Sequence, residues 1–424
     1  MTLHGSLCAV IICRRLHPPW NDGTVVYARN LTAILNEIGL ETYVITDIWH
    51  SYLEASREDL VLFKGLLKDL QSYTILANFS LKPMNLHQHS KSFTRLVKDV
   101  MSKYDHLIFH IFQSPLLSPA VSIFRKVLGT LQKSRKTHIV WHVLNMPTPK
   151  AKTFLGAYLR RRDGLIAFSD KLLRRLTITL NQHIHENTWI LRPPIIFLSN
   201  STGNDARLSQ YMIKSIGTAS LSDITHRDYV LAYLGSLKPH RFPYKLIIEA
   251  LLHIISSGYD VALILALRGT SKHLKDLMML LRLLEKYNLR HRVALLPRSL
   301  SEVEKVSLYK NVNCLIQLYL KMVPKDVVVP PLTILEAILS GVPVITTSSI
   351  CLGELFSLYP KEFLVDIREL NSRVLANKLI MAMTSDNKVV RAISCRLMSK
   401  FSKQAIKIEI LNTYKYLQEQ LVYS

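Results

Sequence analysis

Pro330–Thr347 reads PPLTILEAILSGVPVITT. It holds a proline turn, a short amphipathic helix with Glu336 near its middle, a helix-stopping Gly341 and an apolar strand at Val342–Thr346. A helix that feeds a strand with no polar alternation is the repeating half of a parallel α/β sheet, since such strands are covered on both faces. The segment also has chemistry. A carboxylate at Glu336 can accept hydrogen bonds from two vicinal hydroxyls, and the start of its helix offers free N–H groups and a positive dipole end to a diphosphate.

The same rhythm extends outward through the chain. On the N-terminal side of residue 200, strands are predicted at Leu7–Ile12, Thr42–Thr46, Tyr73–Ala77, His106–Ile111, His138–His142, Gly164–Phe168 and Thr188–Leu191, with a helix over Thr24–Ile38 stopped by Gly39. After Pro193 and Pro194 the composition turns to Ser, Asn, Thr, Gly and Asp, and periodicity returns only at Tyr229. Beyond it, strands are predicted at Tyr229–Leu234, Val261–Ala266, Val293–Leu296 and Cys314–Gln317, with a helix around Lys245–Ile255. The predicted class is therefore α/β, with two doubly wound, Rossmann-like parallel-sheet domains. Their expected bounds are 1–196, a linker or insertion at 197–228, a second domain at 229–386, and helices at 387–424 returning toward the first. Two such domains facing each other are expected to hold a ligand in the cleft at the carboxyl ends of their strands.

Composition narrows the function. At 424 residues, with 49% hydrophobic and 20% charged residues, the chain is folded and long enough for two cores. No Gly-x-Gly-x-x-Gly follows the first strand and no Gly-Lys-Ser/Thr loop occurs, which removes most support for dinucleotide oxidoreductases and P-loop kinases. Five cysteines without ligand spacing support neither a disulfide framework nor a zinc site, and they suit a reducing, cytoplasmic setting. The apolar run Leu7–Cys13 is closed by Arg14 and Arg15, well short of a membrane span. The net charge of +23 draws the protein to polyanions. Basic clusters such as Arg160–Arg162, and Lys171 with Arg174 and Arg175, are interleaved with leucines and not with stacking aromatics. That favours a peripheral site at an anionic membrane surface over nucleic acid.

Pro330–Thr347 resembles the donor-binding signature of glycosyltransferase family 4, whose members have the GT-B fold. The family's glutamate, followed by alanine and later by Gly-x-Pro-Val, falls on Glu336, and the resemblance implies that it holds the nucleotide ribose. Thr333 and Leu335 of the same helix are implied to line the donor site. The family's earlier glutamate, close to the sugar, falls on Val328, and Asp326 is the nearest acid that can replace it. A second segment, Tyr233–Leu251, resembles the family's strand, glycine loop and helix that set an arginine and a lysine on the donor diphosphate. Gly235 matches the loop glycine and Arg241 the lysine. Ser236 stands where the arginine is usual, and Lys238 is the nearby cation able to substitute.

The N-terminal half carries weaker counterparts. Gly23 and Thr24 match a loop that lets the backbone approach phosphate and acceptor at a helix start. His110 lies at the end of a predicted strand, where the family often presents a histidine to the sugar; His142 ends another strand. Ser169 reads as a helix cap.

The resemblance implies a retaining glycosyltransferase that moves a hexose-like sugar from a nucleotide-diphosphate donor to a glycan, lipid-linked or protein acceptor. It implies neither a side-chain nucleophile nor a cofactor, and the lack of an Asp-x-Asp signature predicts no divalent metal. The first 196 residues hold about twice as many Lys and Arg as Asp and Glu, which favours an acceptor at an anionic membrane surface. Two other classes stay open: a catalytically inactive binding or scaffold protein, from the departures at Val328 and Ser236, and a nucleic-acid binder, from the charge.

Overall fold

The six residues of β1 (Leu7–Ile12, LCAVII) carry no polar side chain, and all six are buried, as a strand covered on both faces requires. The computed structural model describes residues 7–13, 16, 23–45, 98–112, 129, 131, 137–143, 163–167, 172–174, 176, 178, 188–190, 218–268, 273–320, 331–348, 359–386 and 388–423. By internal contacts the chain divides into two units: Met1–Ile196 with Lys400–Ser424, and Phe197–Ser399.

In unit 1, β1 is joined by β2 (Glu41–Ile45), β3 (His106–Ile111), β4 (Thr137–Val143), β5 (Gly164–Ala167) and β6 (Thr188–Ile190). They form one sheet in the order β2-β1-β3-β4-β5-β6, with every neighbouring pair parallel. Helix α1 (Gly23–Glu37) links β1 to β2 and ends before Gly39, whose φ of 77° is the left-handed conformation that favours glycine after a helix.

Unit 2 has β7 (Tyr229–Ser236), β8 (Val261–Arg268), β9 (Val293–Leu296), β10 (Cys314–Gln317), β11 (Val344–Thr347) and β12 (Leu364–Val365). Their order is β12-β11-β10-β7-β8-β9, again all parallel. Read from the other edge this is the 3-2-1-4-5-6 order of a doubly wound fold, with the chain reversing direction across the sheet between β7 and β10. The helices are α2 (Leu221–Thr225), α3 (Tyr244–Ser256), α4 (Leu274–Lys286), α5 (Glu302–Asn311), α6 (Leu332–Leu339), α7 (Ser372–Thr384) and α8 (Lys388–Phe401). The last helix, α9 (Lys403–Tyr423), lies against α1 and β4 of unit 1.

Most predicted strands recur within a residue or two, and the departures have causes. β7 and β8 each run two residues past their predicted ends, because the ladder continues through Gly235↔Leu267 and Ser236↔Arg268 after the apolar signal has stopped. The strand predicted from Val342 begins at Val344, since Pro343 has no N–H to enter a ladder. β12 is two residues long, too short to leave a pattern. The end of the stretch read as a linker holds α2, started by a reciprocal cap in which Ser220 Oγ accepts from Asp223 N and Asp223 Oδ2 accepts from Ser220 N. The strand predicted at Tyr73–Ala77 lies outside the described residues.

Candidate functional site

In unit 2 one group of polar side chains lies at the carboxyl end of the sheet, around the reversal between β7 and β10. Gln317, the last residue of β10, donates from Nε2 to the Leu234 carbonyl (2.6 Å) and ties the two strand ends together. The chain then leaves β7 in a tight turn: Lys238 N donates to Ser236 O (2.8 Å), and Arg241 N and Phe242 N both donate to Lys238 O (2.8 and 2.7 Å). The Lys238 side chain is exposed, so what it gives this turn is its backbone.

Gly235 is needed here for an internal reason. The Tyr233 ring folds back over it, stacks on Phe242 with centroids 4.4 Å apart, and donates its hydroxyl to Ser236 O (2.9 Å). A Cβ at Gly235 would sit 2.5 Å from that hydroxyl oxygen. Ser236 Oγ is buried and has no hydrogen-bond partner. The Arg241 guanidinium lies over the Tyr319 ring, 5.7 Å from its centroid, and makes no ion pair. Arg268, the last residue of β8, stands beside Ser236 in the parallel register. Burial pushes the Tyr233 and Tyr319 hydroxyls up, while the positive fields of Arg241 and Arg268 pull both back.

Glu336 sits in α6, which lies on β10 and β11. Only 5% exposed, it would be an expensive buried charge without partners. α5 supplies them. Lys305 Nζ reaches Glu336 Oε1 (3.1 Å) and Glu302 Oε1 (2.8 Å), and Tyr309 donates its hydroxyl to Glu336 Oε2 (3.0 Å). Glu302, Lys305 and Tyr309 recur at helical spacing, which puts them on one face of α5. That helix is started by a capping box between Ser301 and Glu304, and Glu304 also pairs with Arg298. Burial, and then the Glu336 carboxylate, push the Tyr309 hydroxyl well up, so it remains a donor at neutral pH. Among the described residues each Glu336 oxygen has one side-chain partner, which leaves it a second lone pair to offer.

At the start of α6, Pro331 offers no side-chain cap, and Thr333 is half-buried. Leu335 belongs to the core: its side chain is fully buried and its N–H bonds to Pro331 O (3.3 Å).

In unit 1, Gly23 is the exposed first residue of α1 and not a loop residue before it. His110 is the last residue but one of β3 and His142 the last but one of β4, and both are buried. His110 Nδ1 is 2.8 Å from His142 Nε2, and His110 Nε2 is 2.5 Å from the hydroxyl of Tyr414 on α9. His142 stacks on Phe112, with centroids 4.0 Å apart, and its Nδ1 is buried without a partner. Burial holds the His110 imidazole down at about 3; burial, and then His110, hold His142 well below its usual range. Both are neutral in the folded protein.

Asp326, Val328 and Ser169 lie outside the described residues, as do residues 17–22 and the clusters at 160–162, Lys171 and Arg175. Sequence reasoning missed Lys305, Tyr309, Arg268 and Tyr414. Only the Glu302, Lys305, Tyr309 spacing was there to find; the other two depend on strand register and on where the last helix lands.

No family model matches the chain, and no curated protein does. Solved structures match over nearly its whole length. HepE of Anabaena in complex with UDP and glucose superposes with a TM-score of 0.64 at 14% identity, covering 97% of this chain and 100% of that one. A glycosyltransferase of Rickettsia africae gives 0.64 at 14% identity, covering 98% and 99%. TarM of S. aureus, in complex with fondaparinux, α-GlcNAc-glycerol and UDP, gives 0.62 at 10% identity, covering 96% and 99%. The chain has the GT-B fold of these glycosyltransferases.

Proposed function

We propose that the protein is a glycosyltransferase that takes its sugar from a nucleotide-diphosphate donor bound at the carboxyl end of the unit 2 sheet, with retention at the anomeric carbon. The observation that carries this reading is the buried Glu336 carboxylate, paired with Lys305 and aligned by Tyr309, on the helix that follows β10 at the strand-order reversal. A fixed carboxylate with spare lone pairs suits the vicinal hydroxyls of a ribose. Arg241 is assigned to the diphosphate. As the glycosidic bond breaks, charge grows on the leaving nucleotide, and a preformed cation favours that state over the ground state. Thr333, Gly235 and Ser236 complete the donor side, with Lys238 at its mouth and the helix start at Gly23 as a second phosphate approach.

With no side-chain nucleophile in this reading, the donor phosphate takes the acceptor proton. The protein contributes orientation and charge stabilisation, and no resident cofactor or metal is assigned. The catalytic role read for His110 requires one of its two hydrogen bonds to open when sugar binds. Asp326 is assigned to the reacting sugar in place of the acid missing at Val328. The acceptor is assigned to the glycan, lipid-linked or protein class, presented at an anionic membrane surface on the cytoplasmic side; among the described residues no helix is long and apolar enough to cross a membrane.

A panel of nucleotide sugars, assayed for hydrolysis and transfer, tests the activity, and proton NMR of the first product reports its anomeric configuration. Turnover with none of the panel, together with retained nucleotide binding, would favour the second reading: a non-catalytic GT-B-like binding or scaffold protein, for which Val328 and Ser236 speak. Sedimentation with anionic liposomes at low and high salt tests the membrane assignment, which fails if binding is absent or insensitive to salt.

A further inference from the structure

Two guanidinium groups stand at the carboxyl ends of neighbouring strands without an acidic partner among the described residues. Arg241 follows β7 and rests on Tyr319; Arg268 ends β8 beside Ser236. Both are half-buried, and among the described residues neither takes part in an ion pair or a side-chain hydrogen bond. Elsewhere in the unit, half-buried arginines do find acids: Arg227 and Arg292 share Asp260, and Arg298 binds Glu304. The fields of Arg241 and Arg268 converge on the same two rings, Tyr233 and Tyr319. Ser236 adds a buried hydroxyl with no partner in the same place. Residues in register on adjacent parallel strands are only about 5 Å apart and share a face of the sheet. Ser236 Oγ and the Arg268 guanidinium can therefore reach one ligand.

We propose that Arg268 is a diphosphate-binding residue, which with Arg241 clamps the two phosphates of the leaving nucleotide and supplies from β8 the cation that Ser236 does not supply from β7. The inference rests on the donor reading above and adds a residue that the sequence did not single out. A second arginine gives the leaving group a planar, two-pronged donor in a fixed position. The full negative charge is present only once the sugar has left. The pair therefore holds the free nucleoside diphosphate more tightly than the nucleotide sugar, which is the differential binding that speeds bond breaking.

The test is calorimetric titration of the full chain with UDP, GDP and ADP, with the corresponding nucleosides and with UDP-glucose, followed by the same titrations of Arg268→Gln, Arg268→Lys and Arg241→Gln. Arg268→Gln should weaken the bound diphosphate by tenfold or more, leave nucleoside binding unchanged, and affect UDP-glucose less than UDP. Arg268→Lys should recover part of the loss. Since Arg268 pairs with no acid among the described residues, the melting temperature of both Arg268 variants should match the parent, so the affinities can be compared directly. If Arg241→Gln weakens the diphosphate while Arg268→Gln does not, or if Arg268→Gln weakens nucleoside and diphosphate equally, the inference is wrong and the donor reading stands. If the parent binds no nucleoside diphosphate at all, the donor reading fails and takes this inference with it.

Discussion

Both units bury polar groups at the carboxyl ends of parallel strands, but they do so with opposite chemistry. In unit 1 the buried groups are neutral and bond to one another, running from Tyr414 through His110 to His142. In unit 2 they are ionisable: Lys305 lies between two carboxylates, and two arginines beyond them have no acidic partner among the described residues. A neutral chain whose members bond to each other secures the elements that contribute them. A charged cluster that leaves cations unpaired is prepared for an anion. The polar cluster of unit 1 holds the last helix, while that of unit 2 is the one the proposed donor reading gives to the nucleotide.

The sharpest break comes from Lys305→Met. It removes the cation between Glu302 and Glu336 and leaves two buried carboxylates facing each other, a loss of about 3–5 kcal/mol. Urea unfolding followed by the near-UV signal of unit 2 should show it, and the double variant with Glu336→Gln should regain part of the loss. If the cluster were merely a surface pair, the change would stay below about 1 kcal/mol.

Acid should instead strike unit 1. Both histidines have lowered pKa values in the fold, His110 at about 3, against an ordinary value of 6.5. Below 6.5 the unfolded chain therefore binds more protons, and stability is lost as pH falls. Each histidine contributes a slope of about 1.4 kcal/mol per pH unit until its folded value is reached. Unfolding curves between pH 7 and pH 5 should show unit 1 melting earlier in acid, with the slope reduced in His142→Phe. A flat profile would mean that the pair is not buried neutral.

Glu336→Gln keeps the shape of the carboxylate and removes its charge. Hydrogen bonds to a charged group are each worth about 1.5–3 kcal/mol, so nucleotide affinity should fall at least tenfold in titration. An unchanged affinity would remove the ribose from this site. The smallest effect is expected from Tyr414→Phe, which leaves His110 Nε2 without its partner and should cost about 1 kcal/mol with no change in nucleotide affinity.

The fold was legible because parallel strands announce themselves as unbroken apolar runs: Leu7–Ile12, His106–Ile111, Val293–Leu296 and Cys314–Gln317 were found to the residue. Glu336 was legible because helix, glycine and strand follow one another locally. Arg268 was not, because its significance depends on facing Ser236 across a ladder formed by residues about thirty positions apart, and β8 continues past the last residue that looked like strand. Tyr414 was hidden for a similar reason. A tyrosine on a helix predicts a helix face; that the face meets His110 is a fact of topology.

That topology also governs the order of assembly during translation. The strands of unit 1 emerge from the ribosome before unit 2, yet α9, which packs against β4 and gives His110 its partner, emerges after unit 2. A nascent chain stopped before Lys403 would hold a complete second unit and an uncapped first one, with the imidazole of His110 short of a hydrogen bond and the Trp189 edge without Tyr416. The half made before the other is thus completed after it, and termination ahead of Lys403 would damage unit 1 while leaving the strands of that unit intact.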